Sequence, residues 1–386
     1  MPETKTAWGI NIGCWALKAI SLREAGENVE VLGFEVIPHD EVPGESPDDR
    51  RELFGRTLGR FLERRNLTGC HVVVSIGGAS SCSRFVHLPP IDSEAIPDLV
   101  RYEAAQQVPF PLDEASWRWQ TFRDLDDLDS PDVDVGIFAA RRDDVGEMLR
   151  TFATAGVHVD TMQTTTLALY NFVRFNDQLA GDGATLLVDL GADDLDLVVA
   201  DGRRIWTHTQ PFGSRQFTRA IAEALGVDLP EAEAVQRDLA NRDDDRLDAT
   251  LEPLFAELAR SVHRGLEDHA THHPGSTFTR WVPAGGGLRI SGLGESLEKD
   301  LALPQRKIDP CERFVQAPGV DLAGADDCAS LAAACGLALQ GLGLTPIHAN
   351  FLPSGIAHKR GGSASRPSGA FGRFLRSLVD DLRRGR

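Results

Sequence analysis

The chain lacks the features that would commit it to several large classes. No run approaches the ~20 apolar residues needed to cross a bilayer, and the opening Met-Pro-Glu-Thr-Lys-Thr carries no signal-peptide core. Six cysteines (Cys14, Cys70, Cys82, Cys311, Cys328, Cys335) form no Cys-x-x-Cys pair, which predicts reduced thiols in the cytosol. Positive charge is short: 40 Lys and Arg stand against 58 Asp and Glu, a net charge of −18. That balance excludes the basic footprint of a nucleic-acid binder. There is no Gly-x-Ser-x-Gly elbow, and no Ser/His/Asp set is singled out by its spacing. What remains is a 386-residue chain of ordinary globular composition, 42% hydrophobic and 25% charged, long enough for two domains with a core each.

Hydrophobic patterning divides the chain into two similar halves with an insertion between them. Strand-like runs at 7–12, 17–23 and 29–37 predict a meander with a turn at Gly26-Glu27-Asn28. An amphipathic helix over about 48–64 and a strand at 71–76 follow. The second half repeats this order, with strands at 184–190, 194–200 and 203–210 and a hairpin turn at Asp201-Gly202. Helices are expected at about 213–225, 230–240 and 248–270, then a strand at 278–284 and a helix from about 290. Such an internal duplication is stronger evidence of fold than any single motif. Residues 79–155 stand outside the repeat and read as strand, helix, strand, strand, helix. The chain therefore divides into a first lobe (1–78 and 156–176), an inserted subdomain (79–155), a second lobe (177–345) and a tail (346–386). In the tail, 361–369 has the Gly/Ser composition of a flexible linker. Beyond it Phe371, Phe374, Leu375, Leu378, Val379 and Leu382 share a helical face. From Lys359 to Arg386 there are eight Lys or Arg and two Asp, six positive charges in surplus on an otherwise acidic chain.

Three glycine-bearing steps carry what chemistry the sequence offers. In Gly9-Ile10-Asn11-Ile12-Gly13-Cys14-Trp15-Ala16-Leu17-Lys18 and in Leu187-Val188-Asp189-Leu190-Gly191-Ala192-Asp193-Asp194-Leu195, a polar step joins two apolar strands. In Val282-Pro283-Ala284-Gly285-Gly286-Gly287-Leu288 a triple glycine lies between strand and helix. This is the order of nucleotide contacts in the actin-like (ribonuclease H-like) ATPase fold, and the chain resembles that α/β class as a duplicated, two-lobed protein with an inserted subdomain. Backbone amides around Gly13, with Lys18, can face phosphate oxygens, or the first step is a plain β-hairpin. Asn11 stands where the actin-like pattern has Asp, and a neutral amide organises hydrated Mg²⁺ less well. Trp15 stands where small or hydroxyl residues are usual. The second step keeps Asp189 and Gly191; Asp189 is the candidate for Mg²⁺ or for positioning a catalytic water. Asp193 and Asp194 would repel a triphosphate by a few kcal/mol at an intermediate dielectric, roughly, or gather Mg²⁺, or face solvent at a turn. Gly285, Gly286 and Gly287 leave room for a base and ribose, or form only a tight turn. His269, His272 and His273 with Asp268 close a helix ahead of Pro274-Gly275, with no cysteine at zinc spacing.

Further stretches narrow the resemblance. Arg84-Phe85-Val86-His87-Leu88-Pro89-Pro90 is followed by Val100-Arg101-Tyr102-Glu103-Ala104-Ala105-Gln106-Gln107-Val108-Pro109-Phe110-Pro111-Leu112. Pro211-Phe212-Gly213-Ser214-Arg215-Gln216-Phe217-Thr218 and Asn350-Phe351-Leu352-Pro353 complete the set. With these the chain, from about residue 7 to 355, resembles the PilM family of bacterial type IV pilus assembly. The insert is the specific part, because glycine hairpins are shared by sugar kinases, heat-shock chaperones and the division protein FtsA.

The resemblance implies a cytoplasmic scaffold at the inner face of the inner membrane. It would bind the N-terminal cytoplasmic tail of an inner-membrane protein (PilN in the family), with the insert helping to hold that peptide, and would contact the pilus motor ATPase. ATP or ADP with Mg²⁺ is the implied cofactor, on Asn11, Gly13, Lys18, Asp189, Gly191, Gly285, Gly286 and Gly287, with binding weak or lost. The basic segment 371–386 would touch an anionic membrane surface or a partner's groove. Two other readings share the fold: an active ATPase or kinase, and the corresponding component of type II secretion or of FtsA-like division.

Overall fold

The structure, a computed structural model, describes residues 5–353 except 27, 42–45, 89–93, 123–132, 203, 240–243, 309–312 and 323–327. The linker 361–369 and the basic segment 371–386 lie outside the described residues, as does the Pro89-Pro90 step.

The first half folds as β1 (Thr6–Ile12), β2 (Ala16–Ala25), β3 (Asn28–Pro38), α1 (Pro47–Arg64) and β4 (His71–Ile76). The insert follows as β5 (Ser81–Leu88), α2 (Ile96–Gln107), β6 (Ala115–Phe122) and β7 (Val133–Arg141). Then come α3 (Arg142–Thr154), β8 (Thr161–Thr164) and α4 (Thr165–Phe175). The second half comprises β9 (Ala184–Leu190), β10 (Leu195–Asp201), β11 (Arg204–Gln210), α5 (Ser214–Leu225), α6 (Leu229–Arg237), α7 (Asp245–His272), β12 (Phe278–Ala284) and α8 (Leu293–Leu301). The chain closes with β13 (Phe314–Gln316) and α9 (Ala332–Leu342).

The duplication is explicit in the sheets. One sheet has the order β13-β3-β2-β1-β4-β8 and another β11-β10-β9-β12. In each, a meander of three antiparallel strands has its first strand paired in parallel with the strand that follows the helices. Apolar residues on both faces of β1 and β9 suit strands covered from both sides. Register sets Asn11 opposite Lys18 and Asp189 opposite Asp196, so the two polar steps sit at corresponding ends of the two sheets. The insert is a separate β5-β7-β6 sheet with α2 packed on it through Val100 and Ala104.

Several elements pack away from their linear neighbours. α3 falls within the expected insert, yet it buries Val145, Leu149 and Phe152 in the first lobe's core beside α1. Its apolar face matches that core, and the insert's own core is complete without it. Likewise β13 pairs with β3, and α9 packs on β1, β2 and α4, all in the first lobe, although both fall inside 177–345. Residues 345–352, expected in part as tail, form a packed strap. Phe351 N–H donates to Met162 O (2.9 Å), Met162 N–H to Asn350 Oδ1 (3.1 Å), and Ser116 Oγ to Phe351 O (2.8 Å). The Asn350-Phe351-Leu352 motif thus ties β8 to the insert's β6.

Candidate functional site

The two polar steps face each other across a cleft of about 540 Å³, a volume in the range of small-ligand sites. Asn11, Gly13, Lys18, Asp189, Gly191 and Gly285 all line it. Gly286 is exposed, and Gly287 lies against Leu190, where a Cβ would come within 2.6 Å of its Cγ. Gly285, at φ +78, leaves a Cβ only 2.2 Å from Asp189 Oδ1. The triple glycine is thus spent largely on seating the turn against the second step, and only its first member borders the cleft.

The first step is fixed from behind. His39, at the end of β3, has Nε2 2.8 Å from Gly13 O and Nδ1 2.7 Å from Thr57 Oγ1, while its backbone N–H donates to Trp15 O (2.9 Å). Burial lowers the His39 pKa, so the neutral ring donates from Nε2 to Gly13 O and accepts the Thr57 hydroxyl at Nδ1. Ser75 Oγ donates to Asn11 Oδ1 (2.8 Å), so that amide is held within the sheet. The Cys14 thiol is pushed up to about 12 by burial and then by Asp193, which makes it unreactive.

The second step is a cluster of carboxylates. Asp193 is paired with Arg215 of α5 (Nε to Oδ1, 3.2 Å). Asp194 is shifted upward by burial and by Asp193. Asp189 is shifted upward by burial, against the pull of Lys18. Asp196, 7% exposed on β10, is pushed up to about 8 by burial and by the charge of Asp189, while the Thr209 hydroxyl donates to it. No sequence motif marks Asp196. Its one signal is a carboxylate inside the apolar strand Leu195-Asp196-Leu197-Val198-Val199. Arg215 and His39 likewise act on the steps from other elements, beyond the reach of local spacing.

Could a magnesium nucleotide sit here? The backbone N–H groups of Cys14, Trp15, Ala192 and Asp193 are not donors in the turn and loop hydrogen bonds of the described residues, and such N–H groups suit an anion. The cations do not. Lys18 is set against Asp189, Arg215 against Asp193, and Arg51 and Arg150 both pair with Glu147 at the lobe-one rim. Asp194 and Asp196 add further carboxyl groups beside them, both shifted upward by burial, and Asn11 contributes none of the carboxylate character that would hold Mg²⁺. The residues present fit a triphosphate poorly.

The remaining sequence candidates have structural roles. His269 is buried at the end of α7 against Trp206 and Phe278 and stacks on His273 (5.0 Å); burial lowers it to about 4. Among the described residues no three His, Cys, Asp or Glu groups are arranged to hold a metal. Phe110 of Pro109-Phe110-Pro111 packs into the insert's core with the Arg141 guanidinium over its ring (4.8 Å). Among the described residues no helix is long and apolar enough to cross a membrane.

A family model for the type IV pilus assembly protein PilM matches residues 9–342. A solved PilM–PilN type IV pilus biogenesis complex contains a chain similar to this one at TM-score 0.72 and 23% identity, over 88% of this chain and 99% of that one. That likeness fixes the actin-like ATPase fold anticipated from the duplicated strands. The ethanolamine utilization protein EutJ from Carboxydothermus hydrogenoformans follows at TM-score 0.49 and 13% identity, over 88% and 90% of the two chains. MreB5 of Spiroplasma citri, solved with ADP, gives 0.44 and 10%, over 80% and 93%.

Proposed function

Because the chain belongs to the type IV pilus assembly protein PilM family, we propose that it is a cytoplasmic actin-like scaffold of a pilus machine, seated at the inner face of the inner membrane. Its partner is the N-terminal cytoplasmic peptide of a PilN-like inner-membrane protein, and a PilM chain solved together with PilN supports that class of partner. An acidic surface, at −18 overall, favours basic cytoplasmic tails. Contact with the motor ATPase, and with the membrane through 371–386, completes the role.

The observation that favours scaffold over enzyme is the charge balance of the cleft. Arg215 is already paired with Asp193, and Lys18 acts on the buried Asp189, so a triphosphate must compete with carboxyl groups for both cations before it gains their attraction. Nucleotide binding is therefore weak or lost, and Asp189, though placed for Mg²⁺ or water, has no partner carboxylate at Asn11.

Isothermal titration with ATP and Mg²⁺ tests this reading. The natural protein is expected to bind at least ten-fold more weakly than Asn11→Asp, and micromolar binding by the natural protein would overturn the weak-nucleotide part. A synthetic peptide of the PilN-like N-terminus should bind equally with and without ATP. Absence of any binding would remove the scaffold reading itself.

A further inference from the structure

The two polar steps do not merely face each other; the second lobe reaches across and grips the first. α5 begins against the second step, with Ser214 N–H donating to Gly191 O (2.9 Å) and Arg215 N–H to Ala192 O (3.0 Å). Gly213 allows this approach, because a Cβ there would stand 2.1 Å from Ala192 O. Arg215 is thus aimed by a fixed backbone. Its guanidinium, 16% exposed, pairs with Asp193 and donates through Nη2 to Cys14 O of the first step (3.4 Å). At the rim the Arg237 guanidinium of α6, paired also with Glu233, lies over the Trp15 ring at 5.1 Å.

We infer that Arg215 and the Trp15–Arg237 pair latch the two lobes together in the place where a bound nucleotide would bridge them, so that the closed cleft is the resting state with no ligand. The inference rests on the weak-nucleotide reading above. Each end of the latch is anchored in its own rigid body. On the first lobe His39 ties Gly13 and Trp15 to β3 and α1; on the second, α5 is welded to the step it reaches from. Trp15 and Asp193, which look like defects in a phosphate site, become with Arg215 parts of one interlobe contact. A part-buried charge-assisted contact and a rim cation–π contact hold such a closure at about ten-fold in the opening equilibrium.

The test is hydrogen–deuterium exchange of the full chain without nucleotide, read on peptides spanning 9–20 and 187–199, for the natural protein, Arg215→Ala and Trp15→Ala. Exchange in both peptides of each variant should quicken by about ten-fold while peptides in α4 and α9 stay unchanged. Exchange within two-fold of the natural protein in both variants would overturn the latch. If Arg215→Ala fails to fold, the rim substitution Arg237→Ala takes its place: faster exchange at 9–20 supports the latch, and unchanged exchange at both steps overturns it. Because no nucleotide is present, failure here is separate from the result of the ATP titration, which concerns only whether the cleft is silent.

Discussion

Replacing Gly336 with alanine is expected to destabilise the first lobe by about 3 kcal/mol or more, the upper end for overpacking a core. α9 crosses α4 so closely that a Cβ on Gly336 would lie 1.7 Å from Ala168 O. On its other side α9 meets β1, where a Cβ on Gly9 would stand 2.0 Å from Ala334 O and 2.5 Å from Ala338 N. The obstacles on both sides are backbone atoms of buried elements, so no side-chain rotation relieves the clash. The helix has to move away from β1 and α4, and with it the strap 345–352 that it precedes. Against a total stability of about 5–15 kcal/mol such a loss is large, and urea denaturation will show it as a lowered midpoint. Gly55→Ala in α1 provides the opposite sign. Nothing lies within 4 Å of a Cβ there, so helix propensity alone acts and should add about 0.5–1 kcal/mol. An unchanged midpoint for Gly336→Ala would mean that α4 and α9 do not approach as closely as described.

That same helix shows where sequence stops informing. The duplication is legible because a period-two pattern interrupted by glycine survives in both halves, and β1–β4 and β9–β12 fall within a few residues of expectation. Nothing marks 332–342 as a helix, since Ala-Ala-Ala-Cys-Gly-Leu-Ala-Leu-Gln-Gly-Leu is buried at every position but Gln340 and so has no polar face to set a period. Nor can local pattern say that α9 and β13 return to the first lobe, because that is decided by packing against β1 and β3. The cleft divides similarly. Asn11, Gly13, Lys18, Asp189, Gly191 and Gly285 are near one another in space because hairpin register puts them there. Asp196, Arg215, Arg237 and His39 reach the same place from a strand interior, two helices and a strand end. Their spacing in sequence carries no trace of that meeting.

Asp196→Asn should stabilise the protein near pH 7.5 by about 2–4 kcal/mol, because the folded chain must there hold on Asp196 a proton that the unfolded chain gives up, a cost the amide does not carry. Asp196 lies opposite Asp189 on one side and Thr209 on the other, and like charges in direct register are destabilising. Above it a Cβ on Gly78 would come within 2.0 Å of its Oδ1, so the carboxyl cannot swing toward solvent. Its pKa, pushed up to about 8 by burial and then by Asp189, fixes the sign. Between about pH 4 and 8 the folded chain holds a proton that the unfolded chain has released. Unfolding therefore sheds a proton, and stability falls as pH rises, by about 1.4 kcal/mol per unit at most. His269 acts oppositely: burial depresses it to about 4, so its contribution is lost as pH falls from about 6.5 toward 4. The two slopes oppose each other below pH 6.5, which leaves 6.5–8 as the window free of the histidine slope, where Asp196 acts with its neighbours Asp189 and Asp194, both also shifted upward by burial. Over that window urea midpoints should decline for the natural protein and decline less steeply for Asp196→Asn, whose amide still accepts from Thr209. The reverse outcome would be as informative. An asparagine variant that is less stable at pH 7.5, beside a natural protein that millimolar Mg²⁺ stabilises, would mean that Asp196 is held ionised by a cation shared with Asp189, and the cleft would then have kept half of its magnesium site without its nucleotide.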